Sequence, residues 1–162
     1  MDLLFEPDAK RIELLCRLLP SPVLINEVIH LLAEIHPDFI RINGWPGFLE
    51  APMLEAAAGK EFMEKAREVF GKKIIFVKDV PGFVNPRIIS MIINEAYYTL
   101  GAGTSSREEI DIAMKLGTGY PFGPFEWAEK IGLKNIHALL TTLGKTDPLY
   151  TIAPGLLSYL NG

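Results

Sequence analysis

Residues 85–100, Asn-Pro-Arg-Ile-Ile-Ser-Met-Ile-Ile-Asn-Glu-Ala-Tyr-Tyr-Thr-Leu, constrain the fold more than any other stretch of the chain. Asn85 followed by Pro86 reads as a helix N-cap with proline at the first helical position. From there to about Leu100, the residues Ile88, Ile89, Met91, Ile92, Ile93, Ala96 and Tyr97 leave almost no polar face. A helix that is apolar nearly all round must be buried on most sides. It also divides the chain in two. Before it, short apolar runs alternate with helical periodicity. After it, no strand is expected.

In the first part, Leu3-Leu4-Phe5 reads as a strand, and Asp8 can cap a helix through about Leu19. Pro20-Ser21-Pro22 breaks that helix. Val23-Leu24-Ile25 reads as a buried strand and Val28–Ile35 as a short helix. Phe39–Ile42 is a further strand, followed by the turn-rich Asn43-Gly44-Trp45-Pro46-Gly47. Pro52–Ala57 reads as another strand and Lys60–Phe70 as a helix, with Glu61 and Lys65 spaced for a surface pair. Gly71 ends it, and Lys73–Val77 returns as a strand. Such alternation predicts a mostly parallel sheet covered by helices.

In the second part, Gly101-Ala102-Gly103 ends the apolar helix. Ser106 with Glu109 forms a capping-box pattern for a helix through Leu116. Gly117–Pro124 is a rigid turn, and helices follow from Phe125 to about Ile131 and from about Asn135 to Leu143. The expected domains are an α/β segment over 1–79 and an all-helical segment over 80–162. Sixteen Lys and Arg against 20 Asp and Glu give a net charge of −4, with no basic block that would grip nucleic acid. One cysteine, Cys16, excludes an internal disulfide and fits a reducing cytoplasm. No apolar run reaches membrane-spanning length, and the first residues lack the basic start of a secretory signal.

Four motifs carry a resemblance. They are Val80-Pro81-Gly82-Phe83-Val84-Asn85-Pro86-Arg87, Asn94-Glu95-Ala96, Glu108 through Gly117, and Gly119-Tyr120-Pro121-Phe122-Gly123-Pro124-Phe125-Glu126. In order and spacing they resemble the C-terminal domain of the 3-hydroxyacyl-CoA dehydrogenases. The resemblance extends back through Phe39–Ile42 and Val23–Asn26 to Leu3–Glu6. It implies a truncated Rossmann-like parallel sheet followed by a helical, 6-phosphogluconate-dehydrogenase-like domain. It also implies oxidation of a 3-hydroxyacyl-CoA with NAD, in fatty-acid metabolism, by a homodimer paired through the helical domain.

The resemblance further implies a histidine base oriented by a glutamate, with a serine and an asparagine positioning the substrate oxygen. The glutamate falls on Glu55 and the histidine on Asn43. An amide cannot take up a proton at neutral pH. The serine falls on Val28, and the asparagine falls on Pro86 with Asn85 displaced by one. Catalytic candidates are therefore Glu55, Asn43 and Asn85. No G-x-G-x-x-G is present, so no residue is assigned to NAD, and the sequence does not support the cofactor that the resemblance implies. His30, His36 and His137 are too dispersed for a metal site, and no metal is expected.

Each candidate also has a plainer reading. Asn43 before Gly44 suits a turn. Glu55 suits a solvated strand edge. His30, among Val28, Ile29, Leu31 and Leu32, suits a structural role, and Trp45 and Trp127 suit the core. Lys72, Lys73, Arg41 and Arg87 could meet CoA phosphates, with solvated surface charge as the alternative for the lysines and internal pairing for Arg87. Two functions stay open. One is a dehydrogenase relative with impaired chemistry. The other is a non-catalytic, dimeric acyl-CoA-binding or interaction protein, in effect a pseudoenzyme on the same scaffold.

Overall fold

A computed structural model describes residues 1–69 and 72–161, the side chains of 65–69 and of 161 excepted. It forms two compact units, Met1–Pro86 and Arg87–Gly162. The first is Rossmann-like α/β and the second is entirely helical.

In the α/β unit, the helix α1 (Ala9–Cys16) starts where Asp8 accepts the N–H groups of Lys10 and Arg11. It ends three residues short of the expected Leu19. Strand β1 (Val23–Asn26), helix α2 (Leu32–Ile35), strand β2 (Phe39–Ile42), strand β3 (Met53–Ala57), helix α3 (Lys60–Val69) and strand β4 (Lys73–Phe76) follow. Helix α2 is a single turn and not the Val28–Ile35 helix that periodicity suggested. The loop ahead of it is held by side chains instead. Leu3–Phe5 is not a strand either: a parallel bridge from Asp2 to Ile25 and the Asn26 side-chain amide, which donates to the Leu3 carbonyl at 3.2 Å, join this segment to the sheet. The expected helix end at Phe70–Gly71 and the Lys65 side chain lie outside the described residues.

The sheet order is β1-β2-β3-β4. β1 runs parallel to β2 and β3 parallel to β4, but β2 and β3 are antiparallel. Two of the three pairings are parallel, as a mostly parallel sheet requires, and only the centre is antiparallel. Parallel neighbours need a crossover, which α2 and α3 supply. β2 and β3 are joined by residues 43–52, which contain no helix, so the chain reverses there.

Side chains alternate across the sheet. Leu24, Ile40, Ile42, Leu54, Ala56 and Ile74 pack with Phe62 of α3 on one face. Val23, Ile25 and Phe39 pack with Leu15 of α1 and Leu32 of α2 on the other. β2 is thus buried on both faces, which its continuous apolar pattern requires.

The amino-terminal bridge is pH-sensitive by construction. Arg11 Nε donates to Asp2 Oδ2 at 2.7 Å. That bond holds the Asp2 carboxyl below the usual aspartate range against the opposing effect of burial, with the Arg11 charge and the Leu4 N–H helping. A depressed folded pKa stabilises fully above the unfolded value and is lost as pH falls through the folded one. Acidification below the usual aspartate range is therefore expected to lower the exchange protection of the Asn26 N–H, which bonds to the Asp2 carbonyl at 2.9 Å. Asp2→Asn should abolish that pH dependence. Unchanged protection in acid would contradict the assignment.

The helical unit comprises the long helix α4 (Asn85–Gly101), which begins at the end of the α/β unit, then α5 (Arg107–Thr118), α6 (Pro124–Ile131), α7 (Leu133–Gly144), a 3-10 turn at Pro148–Tyr150, and α8 (Pro154–Asn161). The last two elements were not legible in the sequence. The capping box of Ser106 and Glu109 forms as expected. Asn94 of α4 donates to the Thr151 carbonyl and accepts from the Ala153 N–H, both at 2.8 Å, which fixes the start of α8. Tyr97 meets the rings of Phe125 and Tyr159 edge-on. Ile89, Ile93, Ala96 and Tyr97 of α4 are buried, whereas Ile88 and Tyr98 are exposed.

Candidate active site

At the carboxyl end of β2, Asn43 Nδ2 donates to Glu55 Oε2 at 3.2 Å. Both residues are buried. The backbone N–H of Asn43 also bonds to the Glu55 carbonyl at 3.0 Å, extending the β2–β3 ladder by one residue. The two candidates twelve residues apart in sequence are therefore partners in space.

Glu55 has a second set of partners. Its carboxylate accepts the N–H of Val84 at 3.2 Å and that of Asn85 at 3.1 and 3.2 Å. The unpaired N–H groups at a helix start favour an anion. Asn85 is thus the first helical residue and not the N-cap. Its side chain is exposed, and the buried Glu55 carboxylate caps α4 in its place. Glu55 is accordingly not the solvated strand-edge group of the plainer reading. Asn43 Oδ1 lies 3.4 Å from the Trp45 N–H, so the amide is held at both ends.

The turn into α4 uses two left-handed residues, Gly82 at φ 82° and Phe83 at φ 45°. Glycine takes this conformation freely, but phenylalanine is strained by about 1–2 kcal/mol. Burial and one observed contact hold it there. Phe83 is buried, and the Arg41 guanidinium lies 4.8 Å from its ring centroid.

Arg41 was a candidate for CoA phosphate, and the structure corrects this. Its side chain is fully buried. It pairs with Asp79 and donates to the carbonyls of Glu27 and Val28 at 3.0 and 3.1 Å. Burial pulls its guanidinium below the usual range, and Asp79, then Glu27 and Glu34, oppose that pull. A cation in an apolar strand, between Ile40 and Ile42, was the sequence signal for such a buried pair. Val28 is buried and offers its carbonyl to Arg41 and to the Gly82 N–H, and Pro86 is buried within the first turn of α4. Lys72 donates to the carbonyls of Leu49 and Ala51. Trp45 and Trp127 are core residues. His36 accepts from the Asp38 N–H and stacks on Phe39. No metal-holding group of His, Cys, Asp or Glu occurs among the described residues.

Residues 82–158 match the C-terminal domain of the 3-hydroxyacyl-CoA dehydrogenases. The chain belongs to that family. A 3-hydroxybutyryl-CoA dehydrogenase of Bradyrhizobium diazoefficiens is 41% identical over 142 residues, covering 86% of this chain and 42% of that protein. The human mitochondrial hydroxyacyl-coenzyme A dehydrogenase is 32% identical over 111 residues, covering 67% and 35%. The crystal structure of (S)-3-hydroxybutyryl-CoA dehydrogenase PaaH1 from Ralstonia eutropha superposes with a TM-score of 0.78 at 28% identity, covering 97% of this chain and 62% of that one. The chain thus spans about two fifths of the length of the first relative.

The family is NAD-dependent, and a dinucleotide's pyrophosphate needs a glycine-rich turn from strand into helix. The junctions from strand to crossover helix here are residues 27–31 and Ala58-Gly59. The first has no glycine and is held by Glu27 and Arg41. The second has one, and a Cβ there would lie 3.7 Å from the Phe62 ring. These residues do not fit a pyrophosphate.

Proposed function

We propose that this chain is a 3-hydroxyacyl-CoA dehydrogenase-like protein of acyl-CoA metabolism in which the family's oxidoreductive chemistry is impaired. The pair of Asn43 and Glu55 carries this reading. It keeps a carboxylate and an oriented partner at the positions the resemblance assigns to the dyad, but the partner is an amide without a titratable nitrogen. Val28 has no hydroxyl for a substrate oxygen, and Pro86 has no amide. The Glu55 carboxylate is occupied by three donors of its own chain, which favours acyl-CoA binding over a new base at that position.

The test is reduction of acetoacetyl-CoA by NADH. A positioned general base contributes about 10²–10⁴-fold in rate. The wild-type chain is expected to match a no-protein control, and Asn43→His alone is expected not to restore turnover. Protein-dependent turnover by either form would overturn the reading. Calorimetry with acetoacetyl-CoA separates impaired chemistry from loss of binding.

The reading includes a homodimer through the helical unit. Between α4 and α5 lies an apolar groove of about 380 Å³, lined by Ile92, Ala96, Thr99, Ile110, Ala113 and Met114, with Ile112 and Leu116 of α5 exposed elsewhere on that helix. An isologous contact would place this groove on both partners, and obligate interfaces bury more than about 2,000 Å². Light scattering is expected to report a dimer for the wild type at micromolar concentration. Ile92→Asp is expected to yield monomer or aggregate, because an unpaired buried carboxylate costs several kcal/mol. A monomeric wild type would refute the dimer.

A further inference from the structure

Glu27 and His30 lie in the five-residue connection between β1 and α2, apart from the pair of Asn43 and Glu55. The Glu27 side chain is only 8% exposed. Its Oε1 accepts the N–H groups of Ile29 at 2.7 Å and His30 at 3.0 Å. Its Oε2 lies 3.2 Å from Nδ1 of the His30 ring, whose side chain is 46% exposed. From beneath, Arg41 grips the carbonyls of Glu27 and Val28. The loop is therefore held on both sides, and the ring projects from a fixed support.

The two groups are in ion-pair contact, and a carboxylate at that distance from Nδ1 favours the tautomer with the proton on Nδ1 and the lone pair on Nε2. That is the arrangement by which a buried acid orients an imidazole base. The pair stands at a chemically relevant edge. β1 and β2 are parallel with Asn26 opposite Ile42, so the Glu27 loop and Asn43 leave the sheet from the same carboxyl end. Asn26 Oδ1 joins them by accepting the Gly44 N–H at 2.9 Å. Open α/β sheets bind ligands outside this end.

We propose that His30, positioned by Glu27, is a proton-transfer site for the C2 position of a 3-oxoacyl thioester. The substrate class rests on the acyl-CoA reading above. A C2 proton between two carbonyl groups is acidic enough for a neutral imidazole. The C2–H bond breaks, an Nε2–H bond forms, and the electron pair spreads over both carbonyl oxygens as an enolate. Return of a proton from the imidazolium or from solvent restores the ketone, and no oxidant takes part. The Glu27 carboxylate beside Nδ1 faces the positive charge that forms on the ring.

The test follows deuterium incorporation at C2 of acetoacetyl-CoA in D2O by NMR, without NAD, alongside calorimetry of the same ligand. The wild-type chain is expected to exceed the buffer rate, and His30→Gln is expected to fall at least about 100-fold toward it with binding unchanged. Glu27→Gln is expected to lose exchange and to move the His30 ring proton to Nε2, visible in ¹⁵N spectra. Glu27→Asp should recover part of both. Binding with exchange no faster than buffer, or exchange that survives His30→Gln, overturns the proton-transfer site alone. Absence of binding overturns the acyl-CoA reading and the site together.

Discussion

Glu55→Ala is expected to lower the unfolding free energy of the α/β unit by about 3–5 kcal/mol. Three donors converge on this carboxylate: the Asn43 amide and the N–H groups of Val84 and Asn85. Truncation leaves all three without an acceptor and removes an anion from the start of a 17-residue helix. Each stranded group costs about 1–3 kcal/mol, and a domain's whole stability is about 5–15 kcal/mol. Glu55→Gln separates capping from charge. Its carbonyl oxygen can still accept both backbone N–H groups, so it should cost about 1–2 kcal/mol. Urea denaturation followed by the fluorescence of buried Trp45, in a Trp127→Phe background, reads the change. An alanine variant within 1 kcal/mol of that background would show that Glu55 does not hold the helix.

Gly123→Ala should destabilise the helical unit by a similar amount, about 3–5 kcal/mol, for a steric reason. Gly123 has φ −74° and ψ 167°, which alanine adopts without strain. The obstacle is distance: a Cβ there would lie 2.3 Å from Asp111 Oδ1 and 2.4 Å from its Cβ and Cγ. Asp111 cannot swing away, because it accepts the N–H of Phe125 at 2.8 Å and of Glu126 at 3.2 Å and so caps α6. Relief means pulling α5 from the start of α6, with loss of a cap worth about 0.5–2 kcal/mol on top of the overpacking. Asp111→Gly removes the opposing atoms. A double-mutant cycle should therefore show Gly123→Ala costing far less in that background. Thermal unfolding monitored by Trp127 provides the readout. Equal costs in both backgrounds would contradict the steric account.

The two sites explain why some features were legible in the sequence and others were not. Asp8 and the Ser106–Glu109 box act within four residues of themselves, so their caps were readable from spacing. The alternation of β1 and β2 is equally local, since successive side chains point to opposite faces. The twelve-residue spacing of Asn43 and Glu55 reproduced a family pattern, and through it the partnership was foreseen, though not the helix that Glu55 caps 30 residues away. Asn85-Pro86 carried a strong local N-cap signal and was misread for that reason: a buried carboxylate from another element displaced the side chain that the signal describes. Arg41 was misread in the opposite direction, because a charged residue is exposed by default and its partner Asp79 is 38 residues distant.

What the sequence determined by itself was the order of elements from α1 to α7, the change from strand-and-helix to helix after residue 80, and the family. All three depend on periodicity, caps and motif spacing within short windows. The tertiary structure alone decided the antiparallel centre of the sheet, the capping of α4 by Glu55, the burial of Arg41, the opposition of Gly123 and Asp111, and the pairing of His30 with Glu27. Four of the five depend on contacts between separate elements, where a hydrogen bond or a close approach is set by how elements dock. The fifth, His30 with Glu27, is close in sequence, yet it needed the Arg41 grip on the loop to leave the β1 end in the conformation that brings carboxylate and ring together.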